Sequence, residues 1–138
     1  MLLRSLSFIL ILTTVFGCSG THDGPPRRFV EGAVSFNEQP IEYGVIRFIP
    51  QPDGPIVTAM IQQGHYSAQN KGGIPLGDVR VEVTSMSDSS KMEGDAMNPT
   101  PAARPPVIPE KFNTSSILIE TISAGNGTQV LDFHLKDK

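Results

Sequence analysis

Residues 32–50, GAVSFNEQPIEYGVIRFIP, constrain the fold more than any other stretch. In the first arm Val30, Gly32, Val34 and Phe36 fall on one face and Glu31 and Ser35 on the other; in the second, Ile46, Phe48 and Pro50 alternate with Arg47. Successive side chains of a strand point to opposite faces, so a period of two with one apolar face marks a half-buried strand. Asn37, Glu38, Gln39 and Pro40 read as the polar turn that joins the arms. The second arm is apolar on its other face too, through Tyr43, Val45 and Ile49. That predicts a second cover, either a loop of the chain itself or a partner.

The same alternation recurs along the chain. Strands are expected over residues 56–62, with Val57, Ala59 and Ile61 inward, over 65–68, with Tyr66 packed, and over 74–86. In the last of these Val79, Val81 and Val83 alternate with Arg80, Glu82 and Thr84. Two more are expected over 117–123 and 129–136, joined by a hairpin turn at 124–127; Leu131, Phe133 and Leu135 face in, Asp132, His134 and Lys136 face water. The 13 glycines and 12 prolines supply the turns, and no run sustains a helical period. Short strands at regular spacing predict an all-β domain over 29–138, a seven-stranded Greek-key β-sandwich.

The N-terminus predicts export and anchoring. Arg4, the apolar run 6–12 and the short residues before Cys18 form a signal peptide over 1–17, too short to span a membrane. Val15, Phe16, Gly17 and Cys18 resemble the lipobox of bacterial lipoproteins, in which the cysteine thiol is acylated and becomes the first residue of the mature chain. Cys18 is the chain's one cysteine, so no internal disulfide competes for it. Acyl chains contribute about 0.8 kcal/mol per buried methylene, and several of them make a stable anchor. Ser19 in place of an aspartate favours the outer over the inner membrane, on the sorting rule of the best-known bacteria. Residues 18–28, rich in Gly and Pro, read as a flexible tether.

Several pieces from Phe29 onward carry a family resemblance. They are Gly32, Ala33 and Val34; Gln39, Pro40 and Ile41 leading to Ile46 and Phe48; and Gly64, His65, Tyr66 and Ser67. They continue with Ile74, Pro75, Leu76 and Gly77 before Val79, then Ile108 to Asn113, and Asp132 to Leu135. Together these resemble the carboxypeptidase-regulatory or transthyretin-like β-sandwich family, in particular its small lipoproteins numerous in planctomycete bacteria. Glu38 stands where that family has a turn glycine, and Val79 where it has a tyrosine. The resemblance implies a non-catalytic accessory of the cell envelope. An enzymatic relative, the transthyretin-like hydrolase of urate breakdown, uses histidines, an arginine and a C-terminal Tyr-Arg-Gly-Ser motif; this sequence ends on His134, Leu135, Lys136, Asp137 and Lys138 instead.

The residues offer little for catalysis. His22, His65 and His134 fall in the tether, at a turn and on an outward strand position, so nothing in the sequence gathers them, and no metal or cofactor is expected. Glu82 and Glu120 on strands could oppose each other as an acid/base pair, though surface charge accounts for them as well. Residues 87–116 exceed what a connection needs. Asp88, Ser90, Glu93 and Asp95 lack calcium-loop spacing, and Met86, Met92 and Met97 have no histidine or cysteine beside them. That Pro-rich loop is expected to re-dock on the domain through Ile108 and Phe112. With a net charge of −3 and no basic run, nucleic acid is not an expected partner. The expected function is interaction with an envelope protein or glycan through an exposed patch, with Phe29, Tyr43, Val45 and Ile49 as its outward residues, or structural spacing at the surface with no specific ligand.

Overall fold

The computed structural model describes residues 24–87, 92–93, 100–101 and 104–137. Residues 1–17, expected to be a signal, Cys18 and most of the expected tether lie outside the described residues, as do Asp88, Ser90, Asp95 and Met97. The fold is all-β. The opening segments are β1 (Arg27–Arg28), β2 (Val30–Phe36), β3 (Gln39–Pro40), β4 (Tyr43–Pro50), β5 (Val57–Gln62) and β6 (His65–Ala68). They are followed by β7 (Ile74–Pro75), β8 (Gly77–Ser85), β9 (Met92–Glu93), β10 (Thr100–Pro101), β11 (Leu118–Ile122), β12 (Gln129–Val130) and β13 (Phe133–Leu135). The described helical segments are two short 3-10 turns, Asn70–Gly72 and Glu110–Phe112.

The principal ladder runs β11-β8-β4-β5-β6-β2-β12, with β3 and β13 also on β2. Its pairings are antiparallel except for β12 and β13, which run parallel to β2. One group, β5-β4-β8-β11, continues into the other, β6-β2-β12 with β13, through the β5–β6 hairpin. The sheet curls there until the inward faces meet. Phe48 of the first group lies 5.7 Å from Tyr66 and 6.5 Å from Phe133 of the second, ring centre to ring centre, and Tyr66 lies 6.1 Å from Phe133. Around this aromatic trio the inward residues expected from alternation are buried: Val30, Val34, Ile46, Val57, Ala59, Ile61, Val79, Val81, Val83 and Leu135. The loop before β11 does re-dock, with Ile108 and Phe112 buried in the same core. Ser85 Oγ donates to the Pro106 carbonyl, and Ser116 Oγ to that of Val81.

Several expectations about the strands need correction. The arms of residues 32–50 do not form a hairpin: β2 turns back only onto β3, and β4 pairs with β5 and β8 in the other group. Residues 124–127 do not close a hairpin either, since β11 pairs with β8 while β12 pairs with β2. Arg27 and Arg28, assigned to the tether, belong to the fold, with β1 paired to β7 and the Arg28 guanidinium donating to the carbonyls of Ser123 and Gly127. Residues 74–86 form two strands, because Gly77 at φ 112° turns the chain between them.

The last strand is also divided, at Leu131 and Asp132. Leu131 N–H still donates to Glu31, but its carbonyl accepts from the Tyr66 hydroxyl at 2.9 Å. Asp132 Oδ1 accepts from Ala33 N–H at 2.7 Å in its place. Burial pushes the Tyr66 phenol well above its ordinary range, and the carboxylates of Asp132, Glu120 and Glu31 push in the same direction. This hydroxyl therefore serves as a fixed donor.

The β2–β3 turn places Asn37 at φ 48° and Glu38 at φ 68°, both in the left-handed region. Such a pair is the type I′ geometry, which suits Asn and Gly. Asn37 fits; Glu38 is strained. Glu38→Gly relieves a left-handed cost of about 1–2 kcal/mol, offset in part by the freer unfolded chain. The substitution also removes the ion pair of Lys136 Nζ with Glu38, 3.4 Å apart, which contributes little because both side chains are exposed. The expected outcome is a rise of a few degrees in Tm by thermal denaturation, and an unchanged or lowered Tm contradicts it.

Candidate functional site

The first group, β5-β4-β8-β11, presents an outer face built by alternation. On β4 the outward residues are Tyr43, Val45, Arg47 and Ile49; their cross-strand neighbours are Thr84, Glu82 and Arg80 on β8, and Gln62, Met60 and Thr58 on β5. Beyond β8, Ile119 stands opposite Arg80. Tyr43, Val45 and Ile49 are half-buried in this face. Around them Met60, Met86 and Ile119 are about half exposed, at 43%, 42% and 53%, and Ile117 is 70% exposed. The face is mixed, with aliphatic side chains on either side of one charged cluster at its centre.

That cluster is Glu82 between two arginines. Its Oε2 accepts from Arg47 Nη1 at 3.0 Å and its Oε1 from Arg80 Nη1 at 2.6 Å. Glu82 itself is buried, contrary to its reading as surface charge, because both guanidinium groups fold over it. Each carboxylate oxygen thus has a charged donor, which offsets the desolvation of the group. Glu120 cannot be its acid/base partner. It is the cross-strand neighbour of buried Val79 and so lies on the opposite face of the sheet from Glu82.

The four outward residues named from the sequence are not one patch. Tyr43, Val45 and Ile49 share the β4 face, whereas Phe29, 43% exposed, precedes β2 in the other group. Met60, Ile117 and Ile119 belong to the face although the sequence reading leaves them out. Their signal is there, since each is an apolar residue at the outward parity of its strand.

A concavity of about 590 Å³ lies on the outer face of the other group. Ala33 and Ser35 form its floor, and His65, His134, Glu38 and Lys136 stand around it. No sequence pattern brings His65 and His134 together, yet both border this groove, because β6 and β13 flank β2 on either side. Ser35 Oγ lies 2.9 Å from His134 Nδ1, a cross-strand contact with no carboxylate behind the imidazole among the described residues. Nor do the described residues contain a group of three or more His, Cys, Asp or Glu able to hold a metal ion. No helix among them is long and apolar enough to cross a membrane. No family model, curated protein or solved structure matches the chain.

Proposed function

We propose that this protein is a lipid-anchored, non-catalytic component of a bacterial cell envelope that binds a protein partner through the outer face of β4, β5, β8 and β11. The observation that carries this reading is the aliphatic surface formed by Met60, Met86, Ile117 and Ile119 around Val45 and Ile49. Exposed apolar side chains gathered on one face, here on either side of a charged cluster, mark interaction sites on globular domains. Aliphatic side chains and a centrally paired charge suit a protein surface; sugar rings are gripped by aromatic faces, which this face lacks apart from Tyr43. Under this reading the domain is a seven-stranded Greek-key sandwich of the carboxypeptidase-regulatory or transthyretin-like type. Supporting that are the division into β5-β4-β8-β11 and β6-β2-β12/β13 and the crossings between groups from β3 to β4, from β6 by way of β7 to β8, and from β11 to β12. Cys18 carries the anchor, and the outer membrane is its expected home.

One experiment tests anchor and face together. Full chains of wild type, Cys18→Ser and Met60→Asp are expressed in a bacterial host, labelled with a fatty acid, cross-linked in intact envelopes and recovered. Wild type and Met60→Asp are expected to take up label and stay in the membrane fraction, and Cys18→Ser to do neither. The cross-linked partner is expected with wild type and to be lost with Met60→Asp, whose exposed position leaves folding intact. Label on Cys18→Ser sinks the anchor; an identical partner set for wild type and Met60→Asp sinks the face.

A further inference from the structure

The chain enters the domain at one end of the strands, and that end has a chemistry of its own. Leu76 N–H donates to the Pro26 carbonyl at 2.9 Å, and β1 pairs with β7, Arg27 opposite Pro75 and Arg28 opposite Ile74. The chain is therefore fixed to the domain from Pro26 onward. Around this point lie the turns after β4, β6 and β11, which carry Asp53, Lys71 and Asn126.

Three cations gather here on a chain whose net charge is −3. The Arg28 guanidinium spans the carbonyls of Ser123 and Gly127, which hold it in place without cancelling its charge. Arg27 uses Nη1 on the Gly73 carbonyl at 2.9 Å, and its other side-chain donors have no partner among the described residues. Lys71 is exposed, at φ 53° in the left-handed region, where asparagine or glycine is the less strained choice. The turn itself thus gives no reason for a lysine. The carboxylates at this end, Asp53 and Asp78, form an ion pair with none of the three among the described residues.

Arg27 and Lys71 border a cavity of about 290 Å³, with Thr58 and Asn70 as its polar neighbours and Pro55 and Ile56 as apolar ones. Two cations, a hydroxyl and an amide around such a space suit the oxygens of a phosphate group. Ile56, 50% exposed beside them, suits the boundary between headgroups and acyl chains. The combination describes a phospholipid better than a soluble anion. Chain geometry then brings the lipid within range. Residues 18–26 number nine and reach at most about 30 Å, so a lipid on Cys18 keeps β1 near the headgroups. Resting on the anchor proposed above, we propose that this end of the domain docks on an anionic phospholipid surface, Arg27 and Lys71 holding phosphate groups and Ile56 meeting the acyl boundary. The strands then stand out from the membrane and leave the outer face of β4, β5, β8 and β11 open to its partner.

The test uses the full chain, expressed in a bacterial host and purified in mild detergent. It is reconstituted on vesicles of phosphatidylcholine alone, or of phosphatidylcholine and phosphatidylglycerol in equal parts, and hydrogen exchange is read by mass spectrometry. Amides of residues 53–58 and 69–73 are expected to exchange at least about fivefold more slowly on the anionic vesicles, the factor that one cation near such a surface supplies. Residues 61–65, at the other end of the strands, should not change. Lys71→Asp should lose most of the slowing; aspartate accepts the left-handed backbone, so the fold is kept, and unchanged exchange at 61–65 reports this. Lys136→Asp makes the same change in net charge beyond the far end of β2 and should keep the slowing. Equal exchange on both vesicles, the two variants behaving alike, or the same slowing produced by inorganic phosphate on neutral vesicles overturns the docking. The acyl mass on Cys18, measured on the same samples, separates the two readings: with it present the docking alone has failed, and without it the anchor falls and the docking with it.

Discussion

Gly32→Ala is expected to destabilise the domain by about 3 kcal/mol, although the change adds a single methyl group. Gly32 sits on the inward face of β2, and its cross-strand neighbour is Tyr66. The backbone at Leu131 crosses directly over it. A Cβ built on Gly32 would lie 2.6 Å from the Leu131 carbonyl carbon and nearer still to its oxygen, inside the 3.0 Å that real Cβ atoms respect. The obstacle is main chain, so no rotamer relieves it and Leu131 must move. Moving Leu131 strains the bond from the Tyr66 hydroxyl to its carbonyl and the bond from Ala33 N–H to Asp132, the two that hold the break between β12 and β13. Tyr66→Phe removes only the first of these and is expected to cost less, leaving one buried carbonyl short of a donor. Urea denaturation of the full chain measures both. If Gly32→Ala has the stability of wild type, or Tyr66→Phe proves the worse of the two, the close approach of Leu131 does not hold this strand in place.

The sequence pattern reaches the inward sets and stops at their partners. Val30, Val34, Ile46, Phe48, Ile61, Val79, Val81 and Val83 are all buried as alternation requires, because alternation is a property of a single strand and needs no knowledge of its neighbours. Pairing is different. Residues 32–50 have the composition of a hairpin, yet Asn37 and Glu38 return the chain for only two residues before β4 crosses to the other group, and no local feature of QPIEY announces the departure. The break at Leu131 is hidden for the same reason. Its cause is the hydroxyl of Tyr66, 65 positions earlier in the chain. Charge misleads in a third way: Glu82 reads as a solvated position until Arg47, from a neighbouring strand, is known to reach over it. The candidate face is half legible. Tyr43, Val45 and Ile49 stand out as excess apolar residues, while Met60, Ile117 and Ile119 require the same parity test on strands that look one-sided.

Phe48→Ala is expected to cost about 3–5 kcal/mol, at least as much as Gly32→Ala. Phe48 is wholly buried, flanked in the sheet by Val57 on β5 and Val81 on β8, and its ring faces Tyr66 and Phe133 across the interior. Its ring is one place where the two groups meet directly. Truncation removes the transfer free energy of the ring and leaves a cavity that strands fixed by their ladders cannot close. A small domain has only about 5–15 kcal/mol to lose, and each kcal/mol moves Tm by roughly 4–8 °C at this size, so the melting point should fall by well over 10 °C. Phe48→Leu separates the causes. It refills much of the volume without the aromatic edges, so it should recover most of the loss, with a residue of about 1 kcal/mol assignable to the ring pairs. A cycle with Phe133→Leu then measures that residue directly: coupling between the two positions is expected because their rings meet. Additive effects would mean that the groups are held together elsewhere, by the β5–β6 hairpin and the docked Ile108 and Phe112, and that the aromatic contact is incidental.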